Sequence, residues 1–171
     1  GSTTGYTEYI AESLAELWQK AGQAPLEPIN ITDLDSISQF LEYDKLILGI
    51  PTWNIGELQD DWEIVLPRLK DLDFTGKQVA LFGVGDARGY PDNFLDAMGM
   101  LVNAVRAQGA TLVGYWSTKG YDFDESLGVE DGKFMGLGID EMNQSKLTAP
   151  RLVAWIEQVI QEFALETIPS G

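Results

Sequence analysis

Apolar residues recur along this chain in two rhythms. Ile10, Leu14, Leu17 and Trp18 fall at helical spacing, with Glu8, Glu12 and Glu16 on the other side. This predicts a helix over 7–20, ended by Gly22. The same rhythm returns at Phe94, Ala97, Met98, Leu101 and Val105, within a helix expected over 93–108. It returns again at Leu152, Val153, Ile156, Val159, Ile160 and Phe163, in a helix that Pro150 is expected to open. Shorter helical stretches are expected over 36–41 and 62–69. The second rhythm is the unbroken apolar run. Leu46-Ile47-Leu48-Gly49-Ile50 and Val79-Ala80-Leu81-Phe82 predict strands over 45–51 and 78–84 that are buried on both faces. A third strand is expected over 111–116, and strand character returns over 133–139. Residues 26–31 read as an edge strand, because Pro28 cannot donate to a ladder.

Strands that alternate with helices imply βαβ units, hence a mostly parallel, doubly wound α/β sheet with helices on both faces. In such folds ligands sit beyond the carboxyl ends of the strands. Three segments are expected on that rim: 1–7, 51–58 and 83–94.

Composition narrows the chemistry. The chain has 171 residues, one domain by length, with 44% hydrophobic residues. Lys and Arg number 11 against 27 Asp and Glu, a net charge of −16, which argues against nucleic acid or an anionic membrane as partner. With no Cys there is no disulfide, thiolate site or iron–sulfur cluster. With no His the commonest general base is missing. Chemistry is therefore expected to belong to a bound cofactor. No apolar stretch approaches the roughly 18 residues that span a bilayer.

The segment Gly1-Ser2-Thr3-Thr4-Gly5-Tyr6-Thr7 places hydroxyls and glycines directly before a helix. Its N–H and O–H donors, with the positive end of the helix, suit a phosphate held without Lys or Arg. An ordinary Ser/Thr helix cap is the alternative. Trp53 and Tyr90 lie on neighbouring rim loops, where two rings can sandwich a flat heterocycle.

These segments together resemble the flavodoxin family, in its long-chain type. The resemblance is carried by 2–7, by Pro51-Thr52-Trp53-Asn54-Ile55-Gly56-Glu57, by Gly85-Asp86-Ala87-Arg88-Gly89-Tyr90-Pro91-Asp92-Asn93-Phe94, and by matches within 115–145. It runs from Gly1 to about Phe163. It implies a flavodoxin-like five-stranded parallel sheet, order 2-1-3-4-5, with an insertion that splits the last strand. It also implies non-covalently bound FMN and a low-potential one-electron carrier that moves between quinone, semiquinone and hydroquinone. On this resemblance Ser2, Thr3, Thr4, Gly5, Tyr6 and Thr7 hold the phosphate, assisted by Thr52. Trp53 and Tyr90 flank the ring. Asp86 and backbone groups near it meet the pyrimidine edge of the ring, and Gly85 and Asn93 of the same loop also bind the cofactor. Asn54, Ile55 and Gly56 form the turn beside flavin N5, with the Asn54 carbonyl as acceptor. Tyr6 stands where relatives often carry Lys.

The resemblance further implies basic redox partners, with a ferredoxin-type NADP reductase, nitrogenase reductase or photosystem I as family-level candidates, and a cytoplasmic monomer. Asp60, Asp61, Glu63, Asp122, Asp124 and Glu125 are expected to steer such partners. The family places an apolar strand just before the phosphate loop, and none precedes Gly1 here. The expectation is that roughly five to eight native residues are missing from the start, a usual strand length. An FMN-dependent NAD(P)H:quinone reductase on the same fold is the rival reading. A phosphate-switch receiver domain would need clustered Asp and a Lys at strand ends, which are not found.

Overall fold

The structure is a computed structural model that describes residue 1 and residues 4–165. Its centre is the strand β3 (Gln78–Val84), buried along nearly its whole length. On one side β3 pairs in parallel with β1 (Lys45–Trp53), in a register running from Lys45 opposite Gln78 to Pro51 opposite Val84. On its other side two short strands follow each other along the same edge. β4 (Thr111–Val113) pairs with Gln78 to Ala80, and β8 (Leu137–Ile139) pairs with Phe82 to Val84. A small antiparallel sheet lies between them in sequence, with β5 (Trp116–Ser117), β6 (Val129–Glu130) and β7 (Lys133–Phe134) in the order β5-β7-β6. The third position of the main sheet is thus one strand split by an insertion. β2 (Glu57–Leu58) folds back on the end of β1 as a hairpin, which makes the sheet mixed.

The period of two in β3 sorts its side chains onto two cores. Val79 and Leu81 join Leu48, Ile50, Leu101 and Val105 on one face. Ala80 and Phe82 join Ile10, Leu14, Trp155, Ile156 and Val159 on the other. The first face is covered by α2 (Asp60–Val65) and α3 (Asp96–Ala107), the second by α1 (Tyr6–Lys20) and α4 (Glu141–Leu165). This is the helix-on-both-faces arrangement that continuous apolar strands require. The buried Lys77 fastens the segment before β1, its Nζ donating to the carbonyls of Leu41 at 2.9 Å and Tyr43 at 2.7 Å.

Several expectations are corrected. Residues 26–31 form no strand. Pro25 and Pro28 lack N–H groups, and among the described residues no strand pairs with the outer edge of β1 between Lys45 and Pro51, so this segment has no ladder to join. The described residues therefore hold three parallel strand positions of the expected 2-1-3-4-5 sheet. The helix over 62–69 starts at Asp60 and tightens at Leu66 into a 3-10 turn, where Pro67 removes a helical donor. The strand over 111–116 ends at Val113. Trp116 belongs instead to the small sheet, and 133–139 divides between the two sheets. Pro150 lies inside α4, which opens at Glu141 and kinks at Gln144.

Candidate functional site

The carboxyl ends of β1 and β3 lie side by side, because Pro51 faces Val84. Past them the chain turns twice, through Asn54-Ile55-Gly56 and through the loop 85–95. The first turn closes the β1–β2 hairpin, in which Trp53 pairs with Glu57. Asn54 and Gly56 both take positive φ, 42° and 86°. Asn tolerates that conformation and glycine occupies it freely, so the sequence fits the turn. Asn54 Nδ2 donates to Glu57 Oε2 at 2.8 Å, and Ile55 stands 71% exposed at the tip. A Cβ on Gly56 would lie 2.8 Å from Asp96 Oδ2 and 3.3 Å from Asn93 Nδ2. The turn therefore presses directly on the start of α3.

The second loop is built around Asp86. Its Oδ1 accepts from the Gly89 amide at 2.8 Å, and its carbonyl accepts from Tyr90 N at 3.0 Å. Asn143 Nδ2 adds a third bond, to Asp86 Oδ1 at 2.9 Å. The Asn143 and Gly89 donors hold the Asp86 carboxyl below its usual range. Tyr90 follows, 37% exposed. Beyond it the insertion supports the loop. Pro91 O accepts from Asp124 N and Glu125 N at 2.8 and 2.9 Å, and Phe94 packs on Tyr121, Phe123 and Phe134. Burial pushes the Tyr121 phenol up to about 12, and its hydroxyl donates to the Gly138 carbonyl at 2.7 Å. Trp53 is half-buried at the end of β1, on the strand next to the one that leads into the Tyr90 loop.

The N-terminal segment reaches the same rim. Gly1 packs against Gln59 and Asp61, just past β2. At the other side Tyr6 lies beside Glu141 and Thr148, just past β8, and burial followed by Glu141 raises its phenol above the ordinary range. Gly5 caps α1 in the left-handed conformation, φ 78°, with no side-chain hydrogen bond to the helix start. The ordinary Ser/Thr cap is thus not realised among the described residues. Tyr9 N takes the Gly5 carbonyl, and the N–H groups of the residues before it are the donors that every α-helix leaves open at its start. Among the described residues no side chain caps the donors at the positive end of this 15-residue helix, an arrangement that fits an anionic group such as a phosphate. Thr4 and Gly5 are exposed there and Thr7 is buried, while Ser2 and Thr3 lie outside the described residues.

Two expected contacts are placed differently from the rest. Thr52 Oγ1 accepts the Ala97 amide at 3.0 Å, so this oxygen caps α3 on the opposite face of the sheet from α1. Asn93 Nδ2 donates to Asp96 Oδ2 at 3.0 Å and joins the two rim turns to each other. Sequence reasoning missed Asn143 and Asp140 as parts of this rim. The signal was an Asp three residues before an Asn at a helix start, where Asp140 Oδ1 accepts from Asn143 N.

Carboxylates crowd the border. Asp92, Asp96, Asp124 and Glu125 line an open hollow of about 620 Å³ beside the Tyr90 loop, and Asp122 pairs with Arg88 at 3.3 Å. Among the described residues no cluster of three or more metal-ligating side chains occurs, and no helix is long and apolar enough to cross a membrane.

Comparison with known proteins agrees with this architecture. The family profile described as Flavodoxin matches residues 1–155. A flavodoxin of Synechocystis sp. is 46% identical over 159 residues, covering 93% of this chain and 92% of the relative. Flavodoxin 2 of Escherichia coli is 46% identical over 166 residues, covering 96% and 94%. Among solved structures, Fusobacterium nucleatum flavodoxin bound to flavin mononucleotide superposes with a TM-score of 0.86 at 32% identity, covering 94% of this chain and 93% of that one. With a family match over most of its length and close relatives spanning nearly all of it, the chain belongs to the flavodoxin family.

Proposed function

We propose that this protein is a one-electron carrier that holds FMN without a covalent bond at the rim formed by the α1 start, the Trp53–Gly56 turn and the Tyr90 loop. The observation that supports it most is the α1 N-terminus, left without a side-chain cap among the described residues, on the rim that also carries Trp53 and Tyr90. FMN, when bound, supplies the redox chemistry by taking up and releasing electrons one at a time.

The chain's own residues bind and tune. Thr4, Gly5, Tyr6 and Thr7, with Ser2 and Thr3, offer N–H and O–H donors to the phosphate. Trp53 and Tyr90 flank the ring by stacking. The Asn54 carbonyl is the acceptor for flavin N5 within a turn that already holds positive φ at both ends. Backbone groups of Gly85 and its neighbours meet the pyrimidine edge, because the Asp86 carboxylate is already bonded to Gly89 and Asn143. Thr52 and Asn93 act one step back, holding α3 and the two turns in place.

A net charge of −16 disfavours adding negative charge at the rim, so the reduced site gives electrons up readily. The same charge suits basic redox proteins as partners, with the protein acting as a cytoplasmic monomer. Exposed Asp60, Glu63, Asp122, Asp124 and Glu125 border the loops that carry Trp53 and Tyr90. A potential-controlled titration of the flavin-loaded protein tests the reading. Two separated one-electron steps are expected. A single two-electron step, with direct oxidation of NAD(P)H, contradicts it.

A further inference from the structure

The structure assigns Asn143 the role of a positioning residue for the rim loop 85–90, its side-chain amide holding Asp86 and Asp140 together so that the loop is set before flavin binds. The inference rests on the proposed FMN site.

Asp140 follows β8 directly, and Asn143 lies in the first turn of α4. Asn143 Nδ2 stands 2.9 Å from Asp86 Oδ1, 2.8 Å from Asp140 Oδ1 and 3.1 Å from Asp140 Oδ2. Its two hydrogens thus serve two carboxylates from different elements. Asp140 is 2% exposed, and it faces Asp86, the Ala87 amide and Tyr121. The nearby cations are engaged elsewhere. Arg88 pairs with Asp122, while Arg151 lies 3.9 Å from the Tyr121 ring centroid and donates to Gln144. Two carboxylates this close repel, and the Asn143 amide offsets that repulsion with donors.

The consequence runs along the chain. Asp86 Oδ1 holds the Gly89 amide, and the Asp86 carbonyl holds the Tyr90 amide. Gly89 has no room for a side chain, since a Cβ there would collide with the Asp86 carboxylate. A second tie, Gly85 N to Ile139 O at 3.0 Å, fastens the loop to the same junction of β8 and α4. Asn143 therefore transmits the position of α4 to the backbone carrying Tyr90. Removal of its donors leaves two facing carboxylates and frees the loop.

Two variants and two readouts test this. In FMN-free protein, Asn143→Leu should speed hydrogen exchange at the Gly89 and Tyr90 amides at least tenfold while the Ile10 and Leu81 amides keep wild-type rates. In the same variant FMN affinity, read by flavin fluorescence, should fall about tenfold. Asn143→Asp should bind FMN weakly at neutral pH and recover as pH falls, because a protonated carboxyl regains one donor toward Asp86 and Asp140. Unchanged exchange at Gly89 and Tyr90, or unchanged FMN affinity in Asn143→Leu, overturns the inference. So does a pH profile of Asn143→Asp parallel to wild type. Failure of the wild type itself to bind FMN removes the proposed function. The exchange rates then decide whether Asn143 sets the loop.

Discussion

Thr52 and Ala97, 45 positions apart, are joined by a hydrogen bond of 3.0 Å in which the Ala97 amide donates to the Thr52 hydroxyl. Leu95, the residue before α3, takes φ 61° and supplies no side-chain cap. The end of β1 therefore caps the helix that covers one face of the sheet. Thr52→Val should cost about 1 kcal/mol, the usual effect of losing a side-chain cap. Thr52→Ser should restore it. Urea unfolding of the FMN-free protein measures both, and a Val variant as stable as wild type would show that water caps α3 equally well.

Gly99 marks where α3 meets the insertion. A Cβ there would fall on the Leu127 carbonyl, which is backbone and cannot swing aside. Gly99→Ala should cost about 1–3 kcal/mol, the range for overpacking a filled core. The loss should appear in thermal unfolding even though alanine favours helices.

Much of this architecture is legible in the sequence. The strand over 78–84 is found with its predicted bounds, since an apolar run buried on both faces has no other good place. The edge strand over 26–31 is not found, because its residues spell extended chain without saying whether a partner ladder lies beside them. The rim loops are also legible, through Trp53, the Asn54-Ile55-Gly56 turn and Tyr90. The bond of Thr52 to α3 was not legible, because its hydroxyl accepts from the Ala97 amide 45 positions away, a pairing that only the fold brings together. Asn143 could not be placed beside Asp86 from sequence, because 57 positions and the whole insertion separate them.

The two rim carboxylates are shifted in opposite directions from the ordinary carboxylate range. Hydrogen bonds from Asn143 and Gly89 lower Asp86 from its ordinary 3.8. Burial, with Asp86 adding repulsion, raises Asp140 above 3.8. On acidification Asp140 takes its proton first. A lowered folded pKa means that Asp86 contributes stability above the unfolded value, lost as pH falls through the folded one. A raised folded pKa means that charged Asp140 opposes folding at neutral pH and that this penalty disappears in acid. Asp140→Asn removes this pH-dependent penalty along with one acceptor for Asn143, so its stability relative to wild type should be more favourable at pH 7 than below the carboxylate range. Carboxyl-carbon NMR titration gives the order directly, and Asp86 protonating first would contradict it.

Stacking should be separable from folding. Tyr90→Ala removes a partly exposed ring, so FMN affinity should fall about tenfold while the FMN-free protein unfolds as before. Trp53→Ala should weaken FMN at least as much. Equal FMN affinity in both variants and wild type would remove the two rings from the site.

Steering by charge predicts a salt effect. Electron transfer from the reduced protein to a basic acceptor, cytochrome c for example, should slow steadily as ionic strength rises. Asp124→Lys combined with Glu125→Lys should lower the low-salt rate and flatten the dependence. A rate that ignores salt would leave the acidic border without this role.

The direct test of the central claim is a fluorescence titration of FMN with the purified chain, repeated with riboflavin, which lacks the phosphate. Stoichiometric quenching at one FMN per chain, with much weaker quenching of riboflavin, is the predicted result. Flavin fluorescence that stays unchanged on adding protein, or equal affinity for the two flavins, would contradict a rim that grips both ring and phosphate.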